Sequence, residues 1–260
     1  METRHCKIVL IGAGNVATQL GSALQKKGFP ILQVYSQTLP SASALGKRLQ
    51  ADYTHQIQEI NLHADLYIFA VKDSALSGLL NAFPQVDGLL VHTAGSLPMS
   101  IFEETHRSRY GVFYPLQTFS KNRDIAFDHI PLFIEAYQPQ DEQLLESMAS
   151  ELSGTVLRLS SEKRKHLHLA AVFACNFTNH LYHLSAQILE KQDLPWPLLL
   201  PLIEETASKV KNLPPKEAQT GPAVRYDTHV MDRHLELLQD EVEMQEVYKL
   251  ISEGIHRQAT

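Results

Sequence analysis

The chain has 260 residues, 44% of them hydrophobic and 20% charged, which suffices for one large or two ordinary domains and excludes a disordered tail protein. Lys and Arg number 23 against 29 Asp and Glu, a net charge of −6 that repels phosphate backbones and anionic lipid and argues against nucleic-acid and membrane partners. Two cysteines, Cys6 and Cys175, cannot build a disulfide framework and fit a reducing cytoplasm.

Lys7–Ile11 reads as a buried strand and Val16–Lys27 as a helix with Val16, Leu20, Ala23 and Leu24 on one face. Gly28 ends that helix, and Ile31–Tyr35 is the second strand. A helix around Ser41–Leu49 and a short strand near Ala51–Tyr53 follow. Asp65–Val71, Leu89–His92, Tyr110–Tyr114, Pro131–Ala136 and Thr155–Leu159 are further strands, with a helix over Gln140–Leu152 between the last two. This alternation predicts βαβ units and an α/β, doubly wound, mostly parallel Rossmann sheet.

The strand pattern stops at Ser160. Glu162–Gln192 is predicted as one long helix capped by Ser160 or Ser161. Pro195, Pro197 and Pro201 punctuate the start of a second helix reaching Asn212, and Pro214–Pro215 open a short element. A loop with Thr220-Gly221-Pro222 leads to helices near Asp227–Gln239 and Glu241–His256. The expected organisation is a Rossmann-like dinucleotide-binding domain at 1–159 and an all-helical domain at 160–260. The apolar run Ile8–Ile11 is too short for a secretory signal and Leu167–Phe177 too short to span a bilayer, so a soluble, cytoplasmic protein is expected. The apolar first helix of the second domain, with Trp196 among prolines, predicts a homodimer through that domain.

Gly12-Ala13-Gly14-Asn15-Val16-Ala17 follows an apolar strand and opens a helix, which is GxGxxA in the required context. Gly12 serves the tight turn, Gly14 lets backbone approach a pyrophosphate, and Ala17 lets helix pack on strand. The helix N-terminus, with Asn15 and Val16, offers N–H groups to the phosphates. An acid closing the second strand would bond a ribose 2′-OH and repel a 2′-phosphate. Ser36, Gln37 and Thr38 stand there instead, so NADP is favoured, with NAD as the alternative. Lys47 and Arg48 are candidates to assist, or solvated cations.

Ala70-Val71-Lys72 ends the fourth strand much as in the pyrroline-carboxylate reductase and deazaflavin-dependent NADP reductase families. Further landmarks are His92-Thr93-Ala94-Gly95-Ser96-Leu97-Pro98, Tyr114-Pro115-Leu116-Gln117-Thr118-Phe119, His168-Leu169-Ala170-Ala171 with Asn176-Phe177, and Gly221-Pro222-Ala223-Val224-Arg225-Tyr226-Asp227. Together they resemble a family of NADP oxidoreductases that pair a Rossmann-like domain with a helical domain of unknown function, over nearly the whole chain. The resemblance implies a fold similar to 6-phosphogluconate dehydrogenase, with substrate bound between the domains. It supplies no substrate. Many hydroxyacid dehydrogenases of this architecture carry a catalytic Lys four residues before an Asn; here Val172 precedes Asn176 and Cys175 precedes Asn179 at that distance.

The proton donor must then come from elsewhere. Asn176, Asn179, His180 and His183 recur at helical spacing amid apolar residues, so this turn is expected to be buried. Asn176 is a candidate to orient a carbonyl or the nicotinamide amide; the alternative is an interhelical or subunit hydrogen bond. His168, roughly 80° around an ideal helix from Asn176, is a candidate proton donor at neutral pH, or a structural histidine. His92, Ser96 and Gln117 lie beyond strand ends, where doubly wound sheets bind ligands. Thr93–Ser96 are expected near the nicotinamide ribose, Gly95 permitting a close approach or merely a turn, and Val71 and Lys72 near cofactor phosphate or substrate. Arg225 suits a bidentate clamp on a carboxylate, unless Asp227 caps the next helix and pairs with it. The thirteen histidines lack supporting ligand spacing, so no metal site is predicted.

The sequence thus predicts an NADP-dependent oxidoreductase passing a hydride to or from a small, anionic carbonyl, imine or hydroxy compound, with His168, Asn176 and Arg225 in the chemistry and a deazaflavin as an alternative co-substrate. Ketopantoate reduction is the narrower alternative. A non-catalytic dinucleotide-binding redox sensor is the alternative from another class.

Overall fold

The computed structural model describes residues 5–259. Four consecutive apolar residues form β1 (Ile8–Ile11), buried on both faces as a central parallel strand must be. Among the described residues, β2 (Ile31–Tyr35), β3 (Asp52–Thr54), β4 (Leu66–Phe69), β5 (Leu89–His92), β6 (Tyr110–Pro115), β7 (Leu132–Ala136) and β8 (Val156–Arg158) join it in one sheet, ordered β3-β2-β1-β4-β5-β6-β7-β8. From β3 to β6 all neighbours pair parallel; β7 turns antiparallel to β6, and β8 runs parallel to β7. No α-helix lies between β6 and β7, so the return that a parallel crossover would need is missing.

Alternate residues of β1 feed two cores. Ile8 and Leu10 join α1 (Asn15–Lys26), α2 (Leu39–Arg48) and α4 (Pro139–Leu152), whose Leu20, Leu45 and Leu145 are buried with them. Val9 and Ile11 face Leu76 and Leu80 of α3 (Asp73–Ala82). Helix α3 has no counterpart in the sequence expectation, because only those two of its side chains are buried and a glycine, Gly78, interrupts the pattern.

The predicted single helix after Ser160 is corrected. It is α5 (Ser161–Ala171), a π-helical segment (Val172–Phe177) and α6 (Thr178–Glu190). Ser160 caps α5, its hydroxyl accepting from the Lys163 N–H at 3.5 Å. A π turn rotates less per residue than an α turn, so the ideal-helix angle between His168 and Asn176 does not carry through. Contacts divide the chain into two units, one reaching Cys175 and one from Asn176 onward. The second unit holds α6, α7 (Leu200–Lys209), α8 (Pro215–Ala218), α9 (Pro222–Arg225), α10 (Thr228–Leu237) and α11 (Val242–Ala259). Among the described residues no helix is long and apolar enough to cross a membrane.

Candidate functional site

The strand order reverses at β1, whose neighbours β2 and β4 precede and follow it in the order, and the turn leaving β1 lies at that switch point. Gly12 sits there with φ +119°, and a Cβ on it would lie 2.3 Å from the Ala70 carbonyl oxygen at the end of β4. Only glycine fits. Gly14 differs: it is the exposed N-cap of α1, and a Cβ there meets nothing within 4 Å. No side chain caps α1 and no acid occupies its first turn. Asn15 is exposed, Val16 half-buried and Ala17 fully buried in the core. The open flank beside free first-turn N–H groups fits a diphosphate, which the positive end of the helix favours.

At the end of β2, Ser36 is half-buried, its N–H bonded to the Thr54 carbonyl at 3.2 Å, while Gln37 and Thr38 are exposed. Thr38 Oγ1 donates to Ser41 Oγ at 2.9 Å. Arg48 is engaged elsewhere, pairing with Asp124 at 3.3 Å.

Beyond β4 and β5, Val71 is half-buried, and exposed Lys72 is the N-cap residue of α3. Ser96 Oγ donates to Asp73 in the first turn of α3. Thr93 is buried, and its N–H extends the β4–β5 ladder to the Phe69 carbonyl at 3.1 Å. His92 is fully buried, stacks on Phe102 at 5.7 Å and accepts from the Ala94 N–H at Nδ1. Burial, aided by the Arg164 charge, pushes its pKa from 6.5 down to about 3, so it stays neutral. Gln117 is exposed, its Oε1 accepting from the Thr118 N–H at 2.8 Å.

The close approach expected at Gly95 is to protein. A Cβ there would lie 2.5 Å from His168 Nδ1 and 2.8 Å from Tyr114 Cζ. His168 is half-buried on α5, and its Nδ1 lies 3.0 Å from the Tyr114 hydroxyl, the two rings edge to face. Burial raises the Tyr114 phenol to about 12. Sequence reasoning missed Tyr114, which reads as one more apolar position of β6. It also missed the clamp beneath. Arg164, one turn before His168, is 0% exposed; it donates to Glu135 Oε2 and to the Leu97 carbonyl, both at 2.6 Å. Ser161 donates its N–H to Glu135 Oε1 at 2.9 Å and its hydroxyl to Oε2 at 2.7 Å, and accepts from the Met99 N–H at 2.8 Å. A lone acid in the apolar strand containing Leu132–Ala136 was the available signal.

The first unit therefore brings together, through successive contacts, the Gly12–Ala17 turn, Val71–Lys72, Thr93–Ser96 and His168. Asn176 and Arg225 belong to the second unit. The turn around Asn176, expected to be buried, is exposed: Asn176, Asn179, His180 and His183 are all open, and Phe173 and Phe177 are 62% and 50% exposed. Of the apolar neighbours that suggested burial, Leu169 is also exposed, while Ala171 and Val172 are half-buried. Arg225 is exposed at the end of α9, while Asp227 caps α10 by accepting from the Val230 N–H at 3.3 Å. Among the described residues no three His, Cys, Asp or Glu side chains converge as a metal site would require.

Two family models match the chain: a Rossmann-like domain over residues 1–108 and a domain of unknown function, DUF2520, over residues 130–255. Among solved structures it is similar to a putative NADP oxidoreductase from Bacteroides fragilis, with 51% identity, 98% of this chain and 100% of that one covered, and a TM-score of 0.93. A protein from Thermotoga maritima shares 24% identity over 97% and 98% of the two chains, with a TM-score of 0.71. The reductive aminase from Aspergillus terreus, in complex with NADPH and ethyl levulinate, shares 16% over 97% and 93%, also with a TM-score of 0.71. These last two share the fold. No curated protein matches the chain.

Proposed function

The chain, a Rossmann-like domain followed by a DUF2520 domain, belongs to the family of the Bacteroides fragilis protein, and on that premise we propose that it is an NADP-dependent oxidoreductase. Its substrate class in this reading is a small, anionic carbonyl, imine or hydroxy compound. The observation that carries the reading is the Gly12–Gly14 turn: sterically obligatory at Gly12, open at Gly14, and set at the switch point against uncapped N–H groups. Bound nicotinamide dinucleotide supplies the hydride.

The chain's own residues bind, orient and protonate. Gly12, Gly14, Asn15, Val16 and Ala17 hold the diphosphate. Ser36, Gln37 and Thr38 receive a 2′-phosphate by neutral donors where no acid opposes it. Val71 and Lys72, with Thr93, Gly95 and Ser96, border the nicotinamide half. His168 delivers a proton to the reacting oxygen or nitrogen, Asn176 orients a carbonyl or carboxamide, and Arg225 binds a carboxylate. The domain boundary follows the end of the sheet, at 159/160. The working compartment is the cytoplasm, and the helical domain forms a homodimer, for which the exposure of Leu169, Phe173, Phe177, Leu198 and Leu202 speaks. Light scattering at micromolar concentration is expected to give twice the chain mass; a monomer contradicts the dimer.

The test is NADPH oxidation by purified protein against a panel of carbonyls, imines and keto acids, ketopantoate included. Turnover that His168→Gln abolishes while NADPH affinity persists supports the reading, and a useful rate with ketopantoate narrows it to that reaction. Val172, standing where related dehydrogenases carry Lys, favours a second reading as a redox sensor. That reading predicts tight dinucleotide binding, cofactor-dependent assembly and no turnover with any member of the panel.

A further inference from the structure

We infer that Tyr114 is a positioning residue for His168: its hydroxyl, donated to Nδ1 at 3.0 Å, holds the neutral imidazole with its proton on Nε2 and makes that nitrogen the donor of the site. The inference rests on the oxidoreductase reading, in which His168 faces the reacting oxygen or nitrogen.

The direction of the bond follows from burial. Tyr114 is 7% exposed, and its hydroxyl has no other partner among the described residues. A buried O–H needs an acceptor. The phenol, with its pKa raised to about 12, keeps its proton throughout the physiological range and gives it to the one acceptor present. Were His168 protonated on Nδ1 instead, two protons would meet along the bond, or the Tyr114 proton would turn away from the one acceptor present among the described residues. Nε2, on the far side of the ring, makes no hydrogen bond to any described residue.

Two features hold the pair in register. The absence of a side chain at Gly95 is what admits the ring, since a Cβ there would lie 2.5 Å from Nδ1. The Arg164–Glu135 pair fixes the first turn of α5 to β7 and to the Leu97 carbonyl, one helical turn before His168. A neutral imidazole with a fixed Nε2–H hydrogen-bonds a carbonyl oxygen or an imine nitrogen; as it passes that proton to the substrate, Nδ1 takes up the Tyr114 proton, and the phenolate left behind regains one from water. That property suits a chain with Val172 where related enzymes place a lysine.

Nitrogen NMR of the imidazoles in the full chain tests this, recorded well above the ordinary histidine pKa of about 6.5. The His168 signals are identified by their loss in His168→Gln. The wild type is expected to show one tautomer, with Nδ1 unprotonated and Nε2 protonated. Tyr114→Phe, which removes only the hydroxyl, is expected to lose that single-tautomer signature, and so is Gly95→Ala, which displaces the ring. A wild-type His168 protonated on Nδ1, a tautomer mixture, or a signature unchanged in Tyr114→Phe overturns the inference; the wild-type spectrum decides even if a variant fails to fold. Heat on adding NADPH to the same wild-type sample separately tests the oxidoreductase reading. The expected tautomer without nucleotide binding would leave the tautomer assignment standing and remove its catalytic meaning.

Discussion

At Gly12 the backbone holds φ +119° with the Ala70 carbonyl where a side chain would be, whereas two residues later Gly14 borders open space at an ordinary φ of −81°. The two substitutions should therefore separate stability from binding. Gly12→Ala combines backbone strain with a steric clash and is expected to cost about 2–5 kcal/mol in urea unfolding. Gly14→Val should leave stability within about 0.5 kcal/mol and weaken NADPH binding by about tenfold or more. Equal stability loss in both would contradict the distinction. His92 makes a second prediction. Its folded pKa, about 3, lies below its unfolded value of 6.5, so between those values the unfolded chain binds a proton that the folded chain refuses. Stability from this group is complete above about pH 6.5 and declines with acidification by about 1.4 kcal/mol per unit. Urea unfolding at pH 7 and pH 5 should show a drop larger in the wild type than in His92→Gln by about 2 kcal/mol; equal drops would refute it. The sequence placed His92 at a strand end beside Ser96, but its packing on Phe102 depends on a residue ten positions away, which local pattern does not reveal.

Elements of strong local pattern were legible. Ile31–Tyr35 and Leu89–His92 are apolar runs bounded by turn residues, and both form strands with those limits. The π segment left no mark, because a helix that gains one residue per turn keeps an apolar, helix-forming composition. The clamp between β7 and α5 was illegible for another reason: Glu135 and Arg164 are 29 residues apart and meet only once the sheet is assembled. Glu135→Leu leaves the guanidinium buried without its counter-charge and should destabilise by about 3–5 kcal/mol. Arg164→Met together with Glu135→Leu should cost clearly less than the two single changes summed, since no charge is left stranded. Additive losses in thermal or urea unfolding would mean that the two residues act independently. The Gly12–Ala17 turn was readable because its pattern is local to six residues, whereas the Tyr114–His168 contact joins residues 54 positions apart.

Across the whole molecule, a sheet with a switch point and a helical unit follow from one change in hydrophobic period near Ser160, and that much the pattern conveys. The contact division at Cys175 falls later, because Arg164 and His168 pack onto the sheet although they lie in a helix. The apolar character of the helical domain is legible in the sequence, but which of its residues stay exposed is not, since apolar periodicity reports a face to be covered and not what covers it. NADP binding is proposed at the open N-terminus of α1 at the switch point, with Ser36–Thr38 in place of an acid. Calorimetric titration of the intact chain with NADPH and with NADH addresses that directly. Saturable heat is expected for both, with tighter binding of NADPH and nicotinamide fluorescence following the same curve. Absence of binding for both nucleotides would contradict that proposal.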